Sequence, residues 1–162
     1  MAKRQVFYSF HYDNDVMRVQ LVRNIGAVEG IAPASPNDWE SIRQKGDSAI
    51  KTWIDNAMQN RSCIVVLIGS ETASCKWVKY EIEKAWNEKK GLLGIYIHNL
   101  ECPNTGKCKQ GANPFDSFIV TIGGTKKKLS ELVVCHNPNS RDAYGDIRDN
   151  ISDWIEAAIK AR

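Results

Sequence analysis

Glu81 is the residue of this sequence best placed to do chemistry, because it lies where a carboxylate is least expected. The segment Lys76-Trp77-Val78-Lys79-Tyr80-Glu81-Ile82-Glu83-Lys84-Ala85-Trp86 has helical periodicity and follows a buried-looking strand. At about 100° per residue, Trp77, Val78, Ile82, Ala85 and Trp86 form one apolar arc, and Glu81 falls roughly 40° from Trp77, inside it. Lys76, Lys79, Glu83 and Lys84 lie on its edge or outside. Burying an unpaired carboxylate is costly and raises its pKa. A carboxylate held beside an indole can favour positive charge developing on a substrate. The plain alternative is a salt bridge, or a cap on a neighbouring loop.

Other chemistries fit less well. His11, His98 and His136 each follow a predicted strand, which invites a metal site. In a flavodoxin-like order, however, the first and last of those strands have two others between them. At about 4.8 Å per strand the outer histidines stand roughly 14 Å apart, too far for one ion. No metal is expected, and His11 alone is the better ligand contact. Phe10-His11-Tyr12-Asp13-Asn14 contains no glycine and Ile68 is followed only by Gly69-Ser70, so neither a P-loop nor a dinucleotide fingerprint is present. Asp13 and Asp15 could mimic the acidic pair of a phosphoacceptor domain, but the Gly69-Ser70-Glu71 turn supplies no acceptor aspartate. Asp13-Asn14-Asp15 reads more simply as a helix N-cap cluster. There is no nucleophile elbow.

The elements that must position Glu81 follow from the apolar pattern. Val6-Phe7-Tyr8-Ser9-Phe10 reads as a first strand, with a helix over about 14–25 and a loop over 26–38 that has room for a short edge strand. One helix is expected over 39–58. Cys63-Ile64-Val65-Val66-Leu67-Ile68 looks like a central parallel strand covered on both faces. The Glu81 helix and a strand over 92–97 come next. Residues 118–122 and 125–129 flank Gly123-Gly124 and predict a β-hairpin, whose three lysines are a solvated arm. Residues 132–135 read as a final strand before a closing amphipathic helix carrying Ile147, Ile151, Trp154 and Ile155.

Alternation of strand and helix predicts an α/β, flavodoxin-like parallel sheet of about five strands with helices on both faces. The expected organisation is one domain over 1–162, with an insertion at about 99–131. Ligands of such sheets sit beyond the carboxyl ends of the strands, which selects Ser9 to Tyr12, Gly69 to Glu71 with Ser70 between them, His98-Asn99 and His136-Asn137 as the rim.

The totals bound the function. With 162 residues, 43% hydrophobic and 25% charged, the chain is long enough for a core without staples. A formal net charge of +3 is too small to argue for nucleic acid. No apolar run approaches the roughly 20 residues of a membrane span, so no membrane partner is expected. Five cysteines without zinc-type spacing read as reduced thiols of a cytoplasmic protein, a Cys102–Cys108 bridge being the lesser reading.

The ordered set Ser9-Phe10-His11-Tyr12, Val22-Arg23-Asn24, Trp39-Glu40, Leu67-Ile68-Gly69-Ser70, Trp77-Val78-Lys79-Tyr80-Glu81-Ile82 and Gly111-Ala112-Asn113-Pro114-Phe115-Asp116 resembles TIR domains. More specifically, it resembles the bacterial TIR-like proteins of Thoeris antiphage systems, over most of residues 3–120. The resemblance implies cleavage of the nicotinamide–ribose bond of NAD, with NAD as substrate rather than cofactor. It also implies a cyclic ADP-ribose-type messenger that activates an effector protein, and a site completed between neighbouring copies on activation.

By carry-over, Glu81 matches the catalytic glutamate and Trp77 the pocket tryptophan. Phe10 and His11 match an aromatic followed by a basic residue. Tyr12 stands where a second basic residue often lies, and Val78 where a Cys is common. Nicotinamide in NAD is cationic and leaves neutral, so one carboxylate suffices where ordinary glycosidases need two. Cyclisation requires water to be kept out. The 26–38 loop and Asn113-Pro114-Phe115 are candidates to close the pocket, the latter equally readable as a turn with an anchoring Phe. Two other readings stay open: a noncatalytic TIR-like adaptor, and an enzyme like the nucleoside deoxyribosyltransferases.

Overall fold

The computed structural model describes residues 4–26, 29–30, 36–102 and 106–162. Its centre is the strand Cys63–Ile68 (β3), six residues that are all buried. Alternation along β3 divides the interior in two. Cys63, Val65 and Leu67 face one apolar cluster, and Ile64, Val66 and Ile68 face the other. A strand with apolar groups on both faces must be covered twice. Each fully buried aliphatic side chain contributes about 1.5–3 kcal/mol to that packing.

Around β3 the chain adds β1 (Gln5–Ser9), α1 (Tyr12–Asn24), β2 (Glu29–Gly30), α2 (Pro36–Gln44), α3 (Asp47–Met58), α4 (Lys76–Asn87), β4 (Gly91–Tyr96), β5 (Ile119–Ile122), β6 (Thr125–Lys128), β7 (Cys135–His136) and α5 (Ala143–Lys160). The main sheet has the order β2-β1-β3-β4-β7, and every neighbouring pair is parallel. Helices α1 and α5 cover one face through Val19, Val22, Ile147, Ile151 and Ile155. The opposite face is covered by α3 and α4 through Ile50, Ile54, Met58, Val78 and Ile82. This is the expected flavodoxin-like α/β architecture. The chain leaves β1 toward β2 on one side and returns to β3 on the other, so the switch in strand order lies between β1 and β3.

Three expectations need correction. The single helix over 39–58 is two helices, broken at Gly46, whose φ of 96° lies in the left-handed region that glycine alone adopts without strain. The final strand over 132–135 is instead the two residues Cys135–His136, because Leu129–Glu131 forms a 3₁₀ turn that delays its start. Asp13-Asn14-Asp15 does not cap α1. His11 does, its Nδ1 accepting from the Asn14 N–H at 3.3 Å.

Within the expected insertion, β5 and β6 pair antiparallel as a separate two-stranded sheet. Gly123 and Gly124 have φ of 57° and 81°, the double left-handed turn that matches hairpin twist. Cys108 carries a free thiol, so the Cys102–Cys108 bridge is not made. No helix among the described residues is long and apolar enough to cross a membrane.

Candidate active site

Period-two alternation puts Phe7 and Ser9 of β1 on the same face of the sheet, the one covered by α3 and α4. Ser9 is the last residue of β1, pairs with Val66 and is fully buried. Glu81 lies in the second turn of α4, between the buried Val78 and Ile82 and Ala85, and is only 6% exposed. The two meet: the Ser9 hydroxyl donates to Glu81 Oε1 at 2.7 Å. Among the described residues no cation pairs with Glu81. Burial pushes its carboxyl pKa up to about 8, and the Ser9 hydrogen bond offsets only part of that rise. The salt-bridge alternative therefore has no partner to rest on.

The turn after β3 is built from close contacts. Thr72 Oγ1 accepts from the Gly69 N–H at 2.8 Å and leads into the turn that starts α4. Gly69 has no room for a side chain, since a Cβ there would stand 2.2 Å from Asp15 Oδ2. On its other side Gly111 approaches the Gly69 carbonyl so closely that a Cβ would come within 2.1 Å of it. Asn14 Nδ2 donates to Glu71 Oε2 at 2.7 Å, tying the start of α1 to the same turn.

The residues expected to bind substrate are divided by the sheet. Ser9, Trp77 and Glu81 belong to the α3–α4 side. Phe10 packs against the α1–α5 cluster and stacks on Tyr12 at 5.9 Å between ring centroids. His11 is engaged as the cap of α1. Ser70 is exposed at the rim. Trp77 shares a helix face with Glu81 at i,i+4. Its ring contacts are with Tyr80, edge-to-face at 5.9 Å, and with Lys76 Nζ at 4.9 Å. Asn113 accepts from the Phe115 N–H at 2.9 Å and caps the 3₁₀ turn Pro114–Ser117. Phe115 is fully buried, so this segment has the form of a turn with an anchoring Phe.

The histidines go three separate ways. His11 caps a helix, His98 is buried, and His136 stacks on Trp154 with ring centroids 4.1 Å apart. Burial lowers the pKa of both His98 and His136. Among the described residues no group of three or more His, Cys, Asp or Glu side chains could hold a metal ion.

One charged pair escaped the sequence reading. Asp15 and Arg18 are 1% and 3% exposed and form an ion pair at 3.2 Å. Arg18 also donates to the Leu100 carbonyl at 3.1 Å and the Gly106 carbonyl at 2.8 Å, clamping the chain beyond β4 onto α1. Desolvation raises the Asp15 pKa, and Arg18 works against it. The signal was available, since Asp15, Arg18, Val19 and Val22 recur at three and four residues along one helix face.

Comparison with known proteins gives two findings. The family described as "Thoeris protein ThsB, TIR-like domain" matches residues 7–102. A Bacillus cereus (strain MSX-D12) protein named "Putative cyclic ADP-D-ribose synthase ThsB1" is 37% identical over 136 residues, covering 80% of this chain and 69% of the relative.

Proposed function

This chain belongs to the ThsB family of Thoeris TIR-like domains, and on that premise we infer that it cleaves the nicotinamide–ribose bond of NAD and closes the remaining ADP-ribose into a cyclic messenger. The messenger activates a separate effector protein in defence against phage. The observation that carries this reading is Glu81, a buried carboxyl with a hydroxyl partner and, among the described residues, no counter-ion, at the carboxyl end of the central strands. Its partner Ser9 flanks the switch between β1 and β3, where sheets of this order bind ligands. A structural carboxylate would be expected to keep a cation or several donors.

The chemistry proceeds from that single acid. The C1′–N bond of NAD breaks with its electron pair leaving on nicotinamide, which departs neutral and needs no proton. Positive charge then appears on the ribose, and an ionised Glu81 stabilises it. The adenine or a ribose hydroxyl of the same molecule attacks the anomeric carbon to close the ring, the attacking group giving up one proton to the Glu81 carboxylate. Attack by water, with the same loss of a proton, gives the linear product instead. At neutral pH the free site holds Glu81 mostly protonated, given a pKa of about 8. The incoming pyridinium carries a positive charge, which favours the carboxylate and lowers that pKa. Substrate binding thus prepares its own catalyst.

The test is to incubate the purified chain with NAD and, separately, with deoxynucleosides, following released base by chromatography and the sugar product by mass. Nicotinamide release that Glu81→Gln abolishes supports the reading. Base release from deoxynucleosides alone would favour the nucleoside enzyme, and no release from either would favour the adaptor.

A further inference from the structure

The hairpin β5–β6 has two outer edges of opposite character. Ile122 pairs with Thr125 across the two-glycine turn and the Leu129 N–H donates to the Phe118 carbonyl at 2.8 Å, so Val120 and Lys127 between them form the intervening hydrogen-bonded pair. The backbone groups of Ile119 and Thr121 on β5, and of Lys126 and Lys128 on β6, therefore point outward. The β6 edge is guarded by charge: Lys126, Lys127 and Lys128 line it, and the Lys128 N–H already donates to Glu131 Oε2 at 2.8 Å. Lysines of this kind are how natural sheets discourage strand addition. The β5 edge has no such guard. Ile119 is 59% exposed and Ile122 47%, no residue of β5 is charged, and the outward groups of Ile119 and Thr121 meet no protein partner among the described residues.

We propose that the open edge of β5 pairs antiparallel with β5 of a second copy of this chain, joining two hairpins into one four-stranded sheet. The register is self-complementary. A two-fold axis through Val120 sets Ile119 opposite Thr121 of the other copy, and Thr121 opposite Ile119, so the outward groups of both strands are satisfied reciprocally. Charge selects the same occupant. Every hairpin lysine lies on β6, so pairing through the uncharged strands leaves the two lysine rows at the outside edges. Three strand spacings separate them by about 14 Å, beyond the Debye length of about 8 Å at physiological salt. An acidic partner strand would instead seek the lysine side. This proposal stands apart from the NAD reading, since neither Glu81 nor substrate enters it.

Sedimentation of the full chain tests it, from micromolar to near-millimolar concentration and at low and high salt. The expected result is a monomer–dimer equilibrium strengthened by salt, because screening removes the residual repulsion between lysine rows. Thr121→Pro removes an outward N–H that β6 does not use, and Ile119→Lys adds a guard to the edge. Each should weaken dimerisation at least tenfold while amide exchange shows the hairpin intact. A chain that stays monomeric at the highest concentration, a dimer that salt dissolves, or a dimer that both variants leave unchanged would overturn the proposal.

Discussion

The Ser9 hydroxyl donates to Glu81 Oε1 across 2.7 Å, joining the last residue of β1 to the second turn of α4. Among the described residues that bond is the polar link to a carboxyl group otherwise packed in the α3–α4 core, and it makes the behaviour of Glu81 measurable in several ways.

Replacing Glu81 by Gln keeps the shape and the acceptor for Ser9 but removes the ionisable group. The fold should persist, with an unchanged far-ultraviolet spectrum, while nicotinamide release falls by about 10²–10³-fold or more. A variant that still formed product at the parent rate would remove Glu81 from the mechanism.

The pH profile follows from the raised pKa. If the ionised form acts, kcat/KM for NAD should climb about tenfold per unit below pH 8 and level off above it, because kcat/KM reports the free protein. The profile of kcat should turn at lower pH, since bound pyridinium favours the carboxylate. A kcat/KM profile flat from pH 6 to 9 would show that Glu81 does not titrate as its burial demands.

Stability should change with pH in the opposite sense. The folded pKa of Glu81 lies above the ordinary value of 4.5, so its contribution is fully present below that value and is lost as pH rises through about 8. Glu81→Gln should therefore be the more stable protein above pH 8, by an amount on the order of 5 kcal/mol. Urea denaturation of both proteins at pH 6 and pH 9 gives the difference directly.

Ser9→Ala deletes the group that holds the Glu81 pKa down. The rise of the kcat/KM profile and its levelling-off near pH 8 should move to higher pH, and stability should fall by about 1 kcal/mol for the lost hydrogen bond. Ser9→Thr, which keeps the hydroxyl, should restore the parent profile if the backbone of β1 accommodates its methyl group.

Removing Asp15 tests the clamp on the far side of the sheet. Asp15→Ala leaves the Arg18 guanidinium buried without its counter-charge, which costs about 3–5 kcal/mol. A denaturation midpoint within error of the parent would mean that the Leu100 and Gly106 carbonyls alone satisfy Arg18.

The sequence disclosed the sheet and the acid for physical reasons that differ. The six apolar residues of β3 can only be a doubly covered strand, and Glu81 is conspicuous because its neighbours in the helical arc are apolar. What it hid are relations that no local pattern carries. Gly46 breaks a helix whose apolar stripe continues across the break. Ser9 is one hydroxyl among many until the period of β1 aims it at α4. Phe10 is turned away from Glu81 because alternation sends it to the other side of the sheet from Ser9, and His11 is taken up as the cap of α1. Asp15 is the exception: its spacing to Arg18, Val19 and Val22 was legible, but the neighbouring Asp13 and Asn14 made the group look like a cap.

The parallel order of the main sheet has a consequence for how the protein comes into being. β1 bonds to β2 over just two residue pairs, and its principal partner is β3, whose first residue is Cys63. On a ribosome moving at about 5–20 residues per second, the apolar β1 waits several seconds for that partner to be synthesised. Nascent chains should therefore be most dependent on chaperones before β3 has left the exit tunnel.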